Sequence, residues 1–112
     1  MEYTLNEKIA FLHALIEMMT ADGVVSPKEM DLINKIVSLH EMNVGQTEFN
    51  KARLMSYDEA KNILSKMADD KKEALGCLLR TMAHADGVVD DGEKICWMRI
   101  KSDVNITNIK EL

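Results

Sequence analysis

The sequence predicts an all-α fold, a compact helical bundle of about five to seven helices built on two repeated helix–turn–helix hairpins. Three observations lead there. Apolar residues make up 46% of the 112-residue chain and recur at helical spacing, without the runs of β-branched residues that mark strands. One Pro and five Gly leave few interruptions. Nine Met outnumber the one Trp, two Tyr and two Phe, so flexible thioethers are expected to fill much of the space between helices. The length suits a single domain, residues 1–112, with a genuine core.

Each element follows from its own pattern. Between Thr4 and Asp22 the residues Leu5, Ile9, Leu12, Ile16 and Met19 fall on one helical stripe, which Phe11, Leu15 and Met18 widen. A stripe that wide predicts a helix buried on more than one side. Gly23 can take the left-handed conformation that ends it. Ser26, Pro27 and Glu29 then supply an N-cap, a first-position proline and a capping-box acid. The second helix carries Met30, Ile33, Ile36, Val37 and His40 and loosens near Asn43 and Gly45. A short helix is expected from about Thr47 to Met55, anchored by Phe49 and Ala52. Ser56 with Glu59, Asp70 with Glu73, and Asp90 with Glu93 each read as a capping box opening a further helix. The Asp70 helix runs through Leu75, Leu78, Leu79 and Met82 to Ala85, and the Asp90 helix carries Ile95, Cys96, Trp97 and Ile100. Ile106, Ile109 and Leu112 could add one more turn.

Sliding the chain by 64 residues lays Met18–Ile36 over Met82–Ile100 with eight of nineteen positions identical, five of them the unbroken block ADGVV. The copies span about 9–41 and 73–105 and suggest approximate two-fold symmetry, with the two long helices packed centrally. Turn chemistry accounts for Gly, Val, the cap residues and the box glutamates. It does not account for Asp22 and Asp86. An acid in the last turn of a helix faces the negative end of the dipole, at a cost of about 0.3–1 kcal/mol unless amides or a cation compensate.

The cation reading has a template. Asp-Gly-x-Val-(Ser/Asp)-x-x-Glu reproduces the second half of an EF-hand calcium loop. The first half fails, because Met18 and Thr20, then Met82 and His84, stand where oxygen ligands belong, so a true EF-hand is not expected. The turn carboxylates Asp86, Asp90, Glu93, Asp22 and Glu29 are the candidate metal ligands, with capping and turn hydrogen bonds as their competing role. Oxygen ligands favour Ca²⁺ or Mg²⁺, with Mn²⁺ also suited, and so open a site implies affinity on the order of 10⁻⁴–10⁻³ M. The second copy, with Asp86, Asp90, Asp91 and Glu93, should bind first.

Two such hairpins in an acidic helical chain resemble the TerB-like domains of tellurite-resistance proteins. The resemblance spans about Thr4 to Lys101 and rests on ADGVVSPKE and ADGVVDDGE. It implies a compact helical bundle in a cytoplasmic bacterial protein of a stress response. It also implies divalent-metal binding through Asp22 and Glu29 in the first copy and Asp86, Asp90 and Glu93 in the second. The N-terminal helical domain of membrane-anchored DnaJ-type co-chaperones looks similar and implies the alternative, a purely structural protein–protein adaptor without metal.

Charge and composition narrow the function further. With 19 Asp+Glu against 14 Lys+Arg the net charge is −5, which argues against nucleic acid and leaves a protein partner as the expectation. The opening residues MEYTLNEKIAFLHALIEMM carry acids before their apolar part, unlike a signal peptide, and no apolar stretch reaches a membrane span. Cys77 and Cys96 lack paired spacing, so a reducing cytoplasm is expected, with both as small core residues. His13 and His40 read as partly buried structural residues, His84 as an exposed helical position and Trp97 as core. No phosphate-cradling loop, nucleophile elbow or HExxH occurs, so no enzyme and no organic cofactor are expected.

Overall fold

In a computed structural model of the chain, residues 3–21, 31, 33–35, 45–84 and 89–107 are described. The first helix, α1 (Leu5–Met19), opens on a capping box. Glu7 N–H donates to Thr4 Oγ1 at 3.2 Å and Thr4 N–H donates to Glu7 Oε1 at 2.8 Å. From Ile9 to Leu15 every residue is buried, His13 included, as the wide stripe predicts. Leu5 lies on the predicted stripe yet is 54% exposed.

Residues 31 and 33–35 are helical, with Ile33 buried, and belong to the expected second helix; its remainder lies outside the described residues. Next come α2 (Gln46–Leu54) and α3 (Tyr57–Ser65). The first begins at Gly45, whose N–H donates to Glu48 Oε2 at 2.9 Å, and Ala52 is its buried anchor. The second begins at Ser56, whose Oγ accepts Glu59 N–H at 3.2 Å, the serine half of the expected box. In α4 (Asp69–Ala83) the start differs from the expected cap at Asp70. Met67 is buried, so the chain turns immediately after it and Ala68 becomes the N-cap. Asp69 and Asp70 fall in the first turn, where acids suit the positive end of the dipole. Asp90 does cap α5 (Asp91–Val104), which ends on the left-handed Asn105 at φ 67°, ψ 50°. Ile106 then packs back into the core.

Helix α1 lies against α2, α3, α4 and α5, while α5 also packs on α3 and α4. Among the described residues α1 meets all four of the other helices, and the two long helices of the repeat, α1 and α4, pack against each other. The core gathers Phe11, Leu12, Leu15, Leu79, Met82 and Trp97 among others. Cys96 joins it, but Cys77 is exposed, against expectation, because its position on α4 faces away from α1 and α5. No strand occurs among the described residues, and no helix among them is long and apolar enough to cross a membrane.

The repeat is visible in backbone geometry and runs further than its sequence match. Helices α1 and α4 both contain 15 residues, and both begin and end at an offset of 64. Their C-caps are superimposable in dihedral angle: Thr20 at φ −94°, ψ 2° and His84 at φ −93°, ψ 3°. Equivalent positions Leu15 and Leu79, Met18 and Met82, Ile33 and Trp97 are all buried. Lys71 Nζ donates to Glu7 Oε1 at 2.9 Å, a contact between equivalent residues and so one that lies near the pseudo-two-fold axis.

Candidate functional site

The expected site lies where the second ADGVV turn runs into α5. Asp90 and Glu93 are brought together there, and each closes the other's cap. Glu93 N–H donates to Asp90 Oδ1 at 2.7 Å, and Asp90 N–H donates to Glu93 Oε1 at 3.2 Å. Glu93 is only 7% exposed. One oxygen of each carboxylate is therefore engaged by backbone amides, which is the structural role weighed against metal ligation. Asp91 stands exposed beside them. Asp86, Asp22 and Glu29 lie outside the described residues. Among the described residues, no group of three or more His, Cys, Asp or Glu is arranged to hold a metal ion.

One premise of the cation reading is corrected. Helices α1 and α4 close at Met19 and Ala83, three residues before Asp22 and Asp86. Both last turns close before either aspartate is reached, so the last-turn placement expected of Asp22 and Asp86 does not hold. Thr20 N–H still donates to Ile16 and His84 N–H to Arg80 in helical fashion, and the chain then tightens as Ala21 N–H donates to Met18 at 3.3 Å.

The start of α5 is pressed against the end of α1. A Cβ on Gly92 would stand 2.5 Å from the Ala21 carbonyl oxygen, so only glycine permits this approach. Beside the contact opens a cleft of about 280 Å³ lined by Glu17, Ala21, Gly92, Ile95, Cys96 and Arg99. From Glu17 and Arg99 at its wall, a line of polar groups not foreseen from the sequence leads away to Tyr57 and Asp103. Arg99 Nη2 donates to Glu17 Oε2 at 3.0 Å, and its guanidinium sits 4.3 Å from the centre of the Tyr57 ring. Tyr57 OH donates to Asp103 Oδ2 at 2.6 Å. Burial, then the Asp103 carboxylate, pushes the phenol well above its ordinary range. On the other side His13 Nδ1 lies 2.8 Å from the Ala52 carbonyl. A carbonyl only accepts, so Nδ1 carries the hydrogen. His13 Nε2 lies 3.3 Å from Glu17 Oε1 but is not aligned for a hydrogen bond. The i,i+4 spacing of His13 and Glu17 was visible in the sequence; Arg99, 82 residues from Glu17, was not.

Burial pushes the Cys96 thiol up to about 11, so it stays protonated near neutrality and is a poor nucleophile. Two large apolar side chains stand out on the solvent side of α5: Ile95 at 67% and Met98 at 66% exposure. A second groove of about 390 Å³ lies between α1, α2 and α3, with apolar walls from Ile9, Leu54, Met55 and Ile63 and with Lys51 and Glu59 as its charged edges.

No protein-family model matches the chain, and no curated protein matches it. Its fold is similar to the crystal structure of a protein of unknown function from Porphyromonas gingivalis W83, with a TM-score of 0.78. That likeness covers 98% of this chain and 90% of that chain at 18% sequence identity, and it speaks for the fold alone.

Proposed function

We propose that the chain is a small, non-enzymatic, cytoplasmic helical domain of the TerB-like kind that works by holding a protein partner in a stress response. The observation that carries this reading is the outward pair Ile95 and Met98, one helical turn apart beside the cleft under α5. Adjacent exposed apolar side chains next to a recess are the usual makings of a docking surface. The sequences ADGVVSPKE and ADGVVDDGE support the TerB-like, bacterial stress-response part by resemblance. An Ile95→Asp, Met98→Asp double variant tests the reading. It should keep its helical circular dichroism and lose a partner that the unaltered protein retains from cell extract. Equal retention refutes it.

A weak divalent-cation seat at the second acidic turn is the second reading, favoured by the exposed Asp91 beside the half-buried Asp90. Titration with Ca²⁺, Mg²⁺ and Mn²⁺ should then shift the amide resonances of residues 90–93 with affinity on the order of 10⁻⁴–10⁻³ M. Unmoved resonances at metal concentrations on that order would remove the cation, and leave the metal-free adaptor related to the DnaJ-type co-chaperone domain.

A further inference from the structure

The imidazole of His13 is anchored through one nitrogen only. Its side chain is 8% exposed, and Nδ1–H donates to the Ala52 carbonyl at 2.8 Å. A neutral imidazole with its hydrogen on Nδ1 leaves Nε2 a bare acceptor. That atom is buried and has no hydrogen-bond partner among the described residues. Glu17 Oε1 lies 3.3 Å from it, within ion-pair distance but off the line of a hydrogen bond. Two acceptors thus lie side by side. The other oxygen of the same carboxylate is well seated, since Oε2 accepts a hydrogen from Arg99 Nη2 at 3.0 Å. The arrangement suits a neutral His13, with Glu17 turned toward Arg99.

The charged groups on the surrounding helices leave Glu17 as the one that can answer a proton on Nε2. On α2, Lys51 and Arg53 flank Ala52 in sequence but are exposed. On α3, Tyr57 donates to Asp103 and carries the Arg99 guanidinium on its ring. On α4, Lys71 is engaged by Glu7. On α5, Arg99 and the protonated Cys96 thiol line the cleft together with Glu17. A proton taken from water turns Nε2 from a bare acceptor into a charged donor. Close packing and the Ala52 carbonyl hold the ring, whereas the Glu17 side chain is 33% exposed and has room to turn. Its two oxygens share one rigid plane, so aligning Oε1 on Nε2–H draws Oε2 off Arg99. We propose that His13 and Glu17 form a proton-driven switch, in which protonation of Nε2 turns the Glu17 carboxylate from Arg99 to His13. The guanidinium, still stacked on Tyr57, is then left without its counterion at the cleft between α1 and α5. The switch acts whether or not α5 holds a partner.

The test is a titration of the full chain, isotope-labelled in its histidine and arginine side chains, from about pH 8 to about pH 5, the range over which histidine changes charge. At the upper end the ring nitrogens of His13 should report the hydrogen on Nδ1. On acidification Nε2 should gain a hydrogen, and the Arg99 side-chain resonance should move with the same midpoint. Exposed His84 is the internal reference, and its own titration should leave Arg99 unmoved. Glu17→Gln should keep the helical circular dichroism, bind the His13 proton about tenfold less tightly and abolish the Arg99 response. A His13 ring that keeps one form throughout overturns the switch. So does an Arg99 resonance that stays still, follows a midpoint other than that of His13, or moves equally in the Glu17→Gln chain. None of these outcomes touches the docking reading, which is decided at Ile95 and Met98.

Discussion

Gly92 carries more of this architecture than its size suggests. Its missing side chain lets the first turn of α5 rest on the Ala21 carbonyl, and the obstructing atom belongs to backbone, which cannot swing aside as a side chain can. Gly92→Ala should therefore separate α1 from α5 and cost about 1–3 kcal/mol in urea unfolding, the range for overpacking a tight contact. A loss no larger than a few tenths, the range of an ordinary surface change, would mean that the contact relaxes freely. His13 shows a complementary logic. It is buried on α1 because its Nδ1–H satisfies the Ala52 carbonyl at the end of α2, a backbone acceptor that apolar packing alone would leave unpaired.

Among the elements, α5 has the clearest division of labour. Its start is set by the reciprocal box of Asp90 and Glu93, its inner face buries Cys96, Trp97, Ile100 and Val104, and its outer face bears Ile95 and Met98. Capping and cation binding make opposite demands on Asp90, and substitution separates them. Asn caps as well as Asp, so Asp90→Asn should keep the melting temperature, whereas Asp90→Ala should lose about 1 kcal/mol. If Asp90 also holds a cation, the Asn variant loses the metal-induced amide shifts while staying stable. If both variants are equally destabilised, the carboxylate charge rather than the cap is what α5 needs.

For the molecule as a whole, the tie between Glu7 and Lys71 joins the starts of the two repeat copies. Both side chains are largely buried, and the Lys71 ammonium also lies 5.3 Å from the centre of the Tyr3 ring. Burial alone would raise the Glu7 carboxyl, but the Thr4 amide and the Lys71 ammonium outweigh it and hold it below its ordinary value. A carboxyl depressed by folding stabilises the native state above its unfolded value near about pH 4. That stabilisation is lost as pH falls through the lower folded value. Glu7→Gln should cost about 1–3 kcal/mol at neutral pH and flatten the acid limb of stability, measured by urea unfolding across a pH series. An acid limb as steep as that of the unaltered protein would show that other carboxylates govern it.

Much of the fold was legible because local rules dominate helices: the wide stripe of α1, the cap at Asp90 and the 64-residue repeat are all written in neighbouring residues. The missed start of α4 and the exposed Leu5 and Cys77 were not, because burial depends on which helices lie alongside. The same holds for the candidate site. Asp90 and Glu93 could be paired by their three-residue spacing, but the Glu17–Arg99–Tyr57–Asp103 line joins residues far apart in the chain. Sequence by itself determined the helical class, the duplication and the caps, since hydrogen bonds within a helix link residues a few places apart. Tertiary structure alone decided that α2 and α3 pack on α1, that Gly92 meets Ala21 and that Ile95 and Met98 face water, since close packing is settled only when distant segments compete for the same space.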